Sequence, residues 1–133
     1  MQIKEIGVTD FKKLLGTGKV LLFNGLKKNY HSCVIPGTIP YPAMRKVIKN
    51  MEEEDIAIVY CANYTCNASH KFAEKKLGHL ETVYIYSGGV FEWLLLQKKY
   101  GKKKYQTTGD CDIENMKHRQ KIKKISLYYF IQS

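Results

Sequence analysis

Apolar residues along this chain alternate between two spacings. Residues 2–6, 20–23, 55–60 and 82–86 predict strands, and VLLF at 20–23 and IAIVY at 56–60 are continuous apolar runs, as in strands covered on both faces. Between the runs, apolar positions recur three or four residues apart. Phe11, Leu14 and Leu15 follow an N-cap at Thr9 and an acidic Asp10, and predict a short helix stopped by Gly16 and Gly18. Met44, Val47, Ile48 and Met51 predict a second helix over 43–51. Ala68, Phe72, Ala73, Lys76 and Leu77 predict a third over 68–77, ended by Gly78. Val90, Trp93, Leu94 and Leu95 predict a fourth after Gly88-Gly89. Residues 24–32 are polar and read as a loop, and IPGTIP at 35–40 reads as a rigid turn leading into a short edge strand. Strands alternating with helices predict an α/β domain with a central parallel β-sheet flanked by helices on both faces.

Charge divides the chain further. The formal net charge is +10, but residues 1–97 hold 12 Lys/Arg against 9 Asp/Glu, whereas residues 98–133 hold 10 against 3. We therefore expect a domain at 1–101 and a basic C-terminal extension at 102–133. Its basic clusters (Lys98, Lys99, Lys102, Lys103 and Lys104, then Lys117, Arg119, Lys121, Lys123 and Lys124) precede the apolar ISLYYFI at 125–131. Such clusters suit an acidic partner, but they carry no nucleic-acid motif, so nucleic acid is not the expected ligand. With 44% apolar residues the chain can build a core. No apolar run approaches the roughly 18 residues of a membrane span, and the N-terminus lacks the features of a signal peptide, so a cytoplasmic protein is expected.

In a reducing compartment the four cysteines, Cys33, Cys61, Cys66 and Cys111, are better read as packing, metal-binding or catalytic groups than as disulfide staples. Cys33 is read as packing, with a resolving role as the weaker alternative. Cys111, in the polar GDCDIEN, is read as exposed and given no role. Cys61 differs. It ends the apolar run DIAIVY, and the next helix begins only at Ala68. A thiol at the carboxyl end of a parallel strand, in a loop leading to a helix N-terminus, lies where ligands bind such sheets and where backbone amides stabilise a thiolate or sulfur anion. Cys66, five residues on, is open to three readings: a resolving thiol, a second sulfur carrier, or filler. A zinc site from Cys61, Cys66, His70 and His79 has the right ligand types but a poor spacing, and no metal or other cofactor is expected. Phosphatase chemistry of the Cys-x5-Arg kind is excluded, since the sixth residue after Cys61 is Asn67 and after Cys66 is Phe72.

The order VLLFN, VIPGTIPYP, IAIVYCANYTCNASHKFAEKKLG and VYIYSGGVFEWL resembles the rhodanese-like sulfurtransferases over about residues 1–101. The resemblance implies a rhodanese-like fold whose cysteine takes a sulfane sulfur as a persulfide and passes it to a thiophilic acceptor. Carried over, Cys61 is the nucleophile and Ala62, Asn63, Tyr64, Thr65, Cys66 and Asn67 form the loop whose amides hold the persulfide. Gly88 and Gly89 let a neighbouring loop approach, and Trp93 packs below. The chain departs from the family's pattern where Asn24-Gly25-Leu26 replaces an Asp-x-Arg, where Val34 replaces a histidine, and in a loop without Lys or Arg. Thiosulfate is therefore expected to be a poor donor, and polysulfide or a persulfide-carrying protein a better one. Two alternatives stand beside the enzyme: a catalytically silent binding module on the same fold, favoured by Asn24, Leu26 and the uncharged loop but not by the retained Cys61, and a thiol redox protein using Cys61 and Cys66.

Overall fold

The computed structural model describes residues 1–111. The second basic cluster and the apolar ISLYYFI, for which a packing or partner role was weighed above, lie outside the described residues. Four parallel strands, β1 (Gln2–Ile6), β2 (Val20–Asn24), β4 (Ile56–Tyr60) and β5 (Thr82–Tyr86), form a sheet in the order β1-β5-β4-β2. The helices are α1 (Val8–Gly16), α2 (Tyr41–Lys49), α3 (Ala68–Lys76) and α4 (Gly89–Tyr100). Two-residue strands β3 (Cys33–Val34) and β6 (Thr108–Gly109) pair antiparallel beside the sheet.

The layering follows from handedness. A parallel crossover is right-handed, so the direction of the move along the sheet decides which face carries the helix. The chain moves one way from β1 to β2, and back from β2 through β4 to β5. Accordingly α1 packs with α4 on one face, and α2 with α3 on the other. The period of two along each strand feeds both cores: Ile58 and Tyr60 of β4 point to the α1–α4 side, while Ala57 and Val59 point to the α2–α3 side.

Three local expectations are corrected. α1 starts at Val8 with Gly7 rather than Thr9 as its N-cap, because the chain turns directly out of β1. The segment after the IPG turn is not a strand: Thr38 makes one isolated parallel bridge to Leu22, and a proline on either side of residues 37–39 withholds the N–H groups a longer ladder would need. The outer cysteines are not separate packing and exposed thiols. Cys33 and Cys111 form a disulfide with Cα atoms 5.0 Å apart, and Cys111 is half-buried. β3 and β6 align the two by pairing Cys33 with Gly109, two residues before Cys111.

Residues 105–111 pack onto the domain. Trp93 Nε1 donates to Gln106 O at 2.7 Å, Gln97 Nε2 donates to Tyr105 O at 2.7 Å, and the Tyr105 ring meets Trp93 edge-on. Among the described residues no helix is long and apolar enough to cross a membrane.

Candidate active site

β4 delivers Cys61 to the carboxyl end of the sheet, and α3 begins seven residues later at Ala68. The intervening loop curls on itself, with Cys66 N donating to Asn63 O at 3.1 Å. Asn63 sets the curl. Its buried Oδ1 accepts from Thr65 N at 3.1 Å and from Thr65 Oγ1 at 2.9 Å, an Asx turn that this residue type forms readily.

The loop rests on the N-terminus of α4. Val90 N donates to Cys61 O and Phe91 N to Ala62 O, each at 3.0 Å. Gly89 permits that approach. Its φ is +67°, and a Cβ there would lie 2.6 Å from Cys61 O and from Ala62 C and O. Gly88 precedes it as the N-cap of α4. Trp93, one turn on, is buried in the α1–α4 core beside Phe11 and Tyr105.

The Cys61 sulfur is nearly enclosed, with the residue 3% exposed. Sγ lies 3.4 Å from Cys66 O and 3.5 Å from Ser69 Oγ, and the half-buried Cys66 thiol lies close enough for each to influence the other's titration. The two thiols titrate together. The Cys61 S–H is the main influence drawing Cys66 down to about 6. The Ala62 and Ala68 amides and the Lys71 charge add to it, against the opposing effect of burial. Cys61 is pushed up, first by its bond to Cys66, then by burial and by the Cys66 charge. Cys61 therefore keeps the proton and Cys66 carries the negative charge. The expected cradle of amides is divided: the Ser69 amide and hydroxyl serve Cys61, and the Ala62 and Ala68 amides serve Cys66. Thr65, Tyr64 and Asn67 lie on the exposed side of the loop.

Glu92 ties this loop to α4. Tyr64 hydroxyl donates to Glu92 Oε2 at 3.0 Å, and Tyr86 hydroxyl donates to Oε1 at 2.7 Å. Burial and the adjacent Glu92 charge push the Tyr86 hydroxyl up.

Asn24, which stands where the family pattern has an acid, is buried. Its Oδ1 accepts from Leu26 N at 2.9 Å and its Nδ2 donates to Tyr30 O at 3.4 Å, so it braces the next loop without charge. Leu26, in place of an arginine, is half-buried and packs against the α1–α4 core. Tyr60, one residue before Cys61, holds the IPG turn: its hydroxyl accepts from Ile35 N at 3.1 Å and shares a 2.8 Å bond with Thr38 Oγ1. Burial raises it to about 12.

Sequence reasoning missed Ser69, Glu92, Tyr86 and Tyr60. Only Ser69 carried a signal, a small hydroxyl residue in the first turn of the helix that follows the cysteine. His70 Nε2 instead meets Glu5 Oε1 at 3.4 Å, and among the described residues no cluster of His, Cys, Asp or Glu is placed to hold a metal.

Several solved structures share this fold. The BH2092 protein from Bacillus halodurans aligns with a TM-score of 0.56 at 21% identity, covering 88% of this chain and 89% of that one. A thiosulfate sulfurtransferase from Pseudomonas aeruginosa aligns with a TM-score of 0.59 at 16% identity, over 87% of this chain and 23% of that one. A rhodanese-related protein from Thermoplasma volcanium aligns with a TM-score of 0.51 at 18% identity, over 79% and 97%. No curated protein sequence matches the chain significantly. The family model for the rhodanese-like domain matches residues 8–96, two thirds of the chain and all of the loop just described, so the chain belongs to the rhodanese-like domain family.

Proposed function

We propose that the protein is a sulfurtransferase that carries a sulfane sulfur on Cys61. The observation that carries this reading is the thiol pair at the end of β4, with Cys61 Sγ facing Cys66 and the first turn of α3. Cys66, as the thiolate of the pair, takes the Cys61 proton as Cys61 attacks the outer sulfur of a donor R–S–SH. A Cys61–S–SH persulfide forms and R–S⁻ leaves. An acceptor thiolate then attacks the outer sulfur, and Cys61 departs as the thiolate and recovers its proton from Cys66. This is covalent catalysis in two half-reactions, with ping-pong kinetics. Cys61 is otherwise a weak nucleophile at neutral pH, and an adjacent base is the usual remedy. Localisation in the cytoplasm, where persulfide donors and thiol acceptors coexist, fits this cycle and requires the Cys33–Cys111 disulfide to resist reduction there.

Intact-mass spectrometry after brief exposure to polysulfide or thiosulfate, then cyanide, tests the reading. Native protein should gain one sulfur that cyanide strips, Cys66→Ser should gain the same sulfur more slowly because it lacks the base, and Cys61→Ser should gain none. Uptake on Cys61→Ser, or on no form of the protein, refutes it.

The coupled titration of the two thiols, with Cys61 Sγ 3.4 Å from Cys66 O, also supports a second reading. In it the Cys66 thiolate attacks the Cys61 sulfur of the persulfide, closing a Cys61–Cys66 disulfide and releasing hydrosulfide. A disulfide-linked peptide and free sulfide appearing together after loading, both lost in Cys66→Ser, would establish it. Loaded protein without that peptide would remove it.

A further inference from the structure

A groove of about 1110 Å³ runs between α2 and α3 and is closed at one end by the loop after β2. Its walls carry five exposed cations: Lys27 from the loop, Arg45 from α2, and Lys71, Lys75 and Lys76 from α3. No carboxylate lines it, and none of the five pairs with an acid among the described residues. Its floor is apolar, built from Leu26, Tyr41, Met44, Ile48 and Phe72. The groove ends at the candidate active site, because Ala68 lines it while its amide faces the Cys66 sulfur, and the Lys71 charge reaches that same sulfur.

An apolar floor between two helices, with charge of one sign along the rim, is the complement of an amphipathic helix with acidic flanks. Lys71 and Lys75 stand one helical turn apart on α3 and face Arg45 of α2 across the groove, so the matching acids would also recur about every turn. The chain's own remaining segment does not fit. Residues 112–133 carry five Lys/Arg against two Asp/Glu and would meet like charge. Nucleic acid is the poorer match: three rings line the groove, Tyr30, Tyr41 and Phe72, but Phe72 packs on Phe23 and Tyr41 meets His31, so they do not form a free row of stacking platforms.

We propose that this groove docks an acidic amphipathic helix of a partner protein and thereby brings that partner's thiol or persulfide to Cys61 and Cys66. The proposal rests on the sulfurtransferase reading for its purpose, but docking itself is measured apart from sulfur transfer.

The test uses the full chain and two designed helical peptides of equal length. They share one apolar face, flanked by Glu in one and by Lys in the other, and each carries a terminal cysteine. Fluorescence anisotropy with Cys61→Ser protein reads binding alone. The Glu peptide should bind at least about tenfold tighter than the Lys peptide, and weaken as salt rises. Arg45→Glu/Lys75→Glu should lose about tenfold in affinity, while Lys13→Glu/Lys19→Glu, which makes the same charge change away from the groove, should stay within about threefold. Melting curves confirm that both double variants fold. Equal binding of the two peptides, equal loss in the two double variants, or displacement of the Glu peptide by a single-stranded RNA oligomer at lower concentration than by unlabelled peptide would each overturn the proposal. With native protein, persulfide on the Glu peptide should transfer with a higher kcat/KM than cysteine persulfide, and Arg45→Glu/Lys75→Glu should abolish the advantage. If binding follows the pattern above but no sulfur moves from either donor, docking stands and the sulfurtransferase reading falls.

Discussion

Alkylation of the thiol pair over a range of pH is the sharpest probe of the site. Cys66 is lowered from 9.0 to about 6, so at pH 7 about 90% of it is thiolate, against about 1% for an unperturbed thiol. A less basic thiolate is also a weaker nucleophile. With a Brønsted slope of about 0.4–0.5, three pH units cost roughly 15–30-fold in intrinsic reactivity. The net gain at pH 7 is then only about three- to sixfold, which partial burial could mask, so the informative quantity is the midpoint rather than the rate. Iodoacetamide labelling between pH 4.5 and 9.5, followed by peptide mass, should place the Cys66 midpoint near 6, with Cys61 labelled more slowly throughout. Cys61→Ala removes the leading cause of the shift and should move the Cys66 midpoint up towards 9. There burial, which raises it, opposes the Ala62 and Ala68 amides and Lys71, which lower it. A Cys66 midpoint at 8 or above in the native protein, an unmoved midpoint in Cys61→Ala, or faster labelling of Cys61 would refute the assignment of the charge to Cys66.

Other consequences concern stability. Because Cys66 is depressed from 9.0, its contribution is fully present above pH 9 and is lost as pH falls through about 6, so the difference in Tm between native protein and Cys66→Ser should shrink over that interval. Opening the Cys33–Cys111 disulfide, which spans 78 positions, should cost up to about 4.5 kcal/mol by chain entropy; a Cys111→Ser variant melting with oxidised native protein would contradict the pairing. Tyr60→Phe strands the buried Ile35 N–H and should cost about 1–3 kcal/mol in chemical denaturation, whereas a neutral result would mean that the IPG turn is not hung on Tyr60. Gly89→Ala sets a methyl against the Cys61 and Ala62 backbone at positive φ and should abolish sulfur uptake even if the chain still folds; uptake at the native rate would show that the loop does not need that close approach.

The fold was legible because β2 and β4 are nearly unbroken apolar runs and each helix keeps its own period. The two cores then follow from crossover handedness, with β2 and β4 supplying alternate residues to each. Cys61 was legible for the same reason: a strand end is marked by where the apolar run stops. What escaped was contact between distant segments. The pairing of Cys33 with Cys111 depends on two strands of two residues each, too short to leave a pattern. Glu92 reads in sequence as an ordinary charge in the first turn of a helix, and only the fold sets it between Tyr64 and Tyr86. Asn24 and Leu26 stood out as losses from a familiar pattern. In the structure each has a positive role, Asn24 bracing its loop through neutral hydrogen bonds and Leu26 filling core.

The distribution of charge around the loop bears on which donors the proposed enzyme would accept. A site for a small dianion needs a cation beside the reacting sulfur, because the anion's hydration must be replaced where it binds. Here the side chain tied to the tip of the loop is a carboxylate, Glu92, and the Cys66 thiolate adds a second negative charge. Lys71 acts on Cys66 from α3, and the other cations lie farther along the groove. A dianion entering the loop would meet these two negative charges, with Lys71 as the opposing cation. A donor anchored by acids along the groove meets the cations first and needs to present only one sulfur to the loop. On the proposed reading, selectivity is then exercised by the partner's surface rather than by the reacting group. Glu92→Gln should therefore raise the relative rate with thiosulfate and leave the rate with a docked persulfide unchanged, and a fall in the thiosulfate rate would show that Glu92 serves the loop as a brace rather than as a barrier to anions.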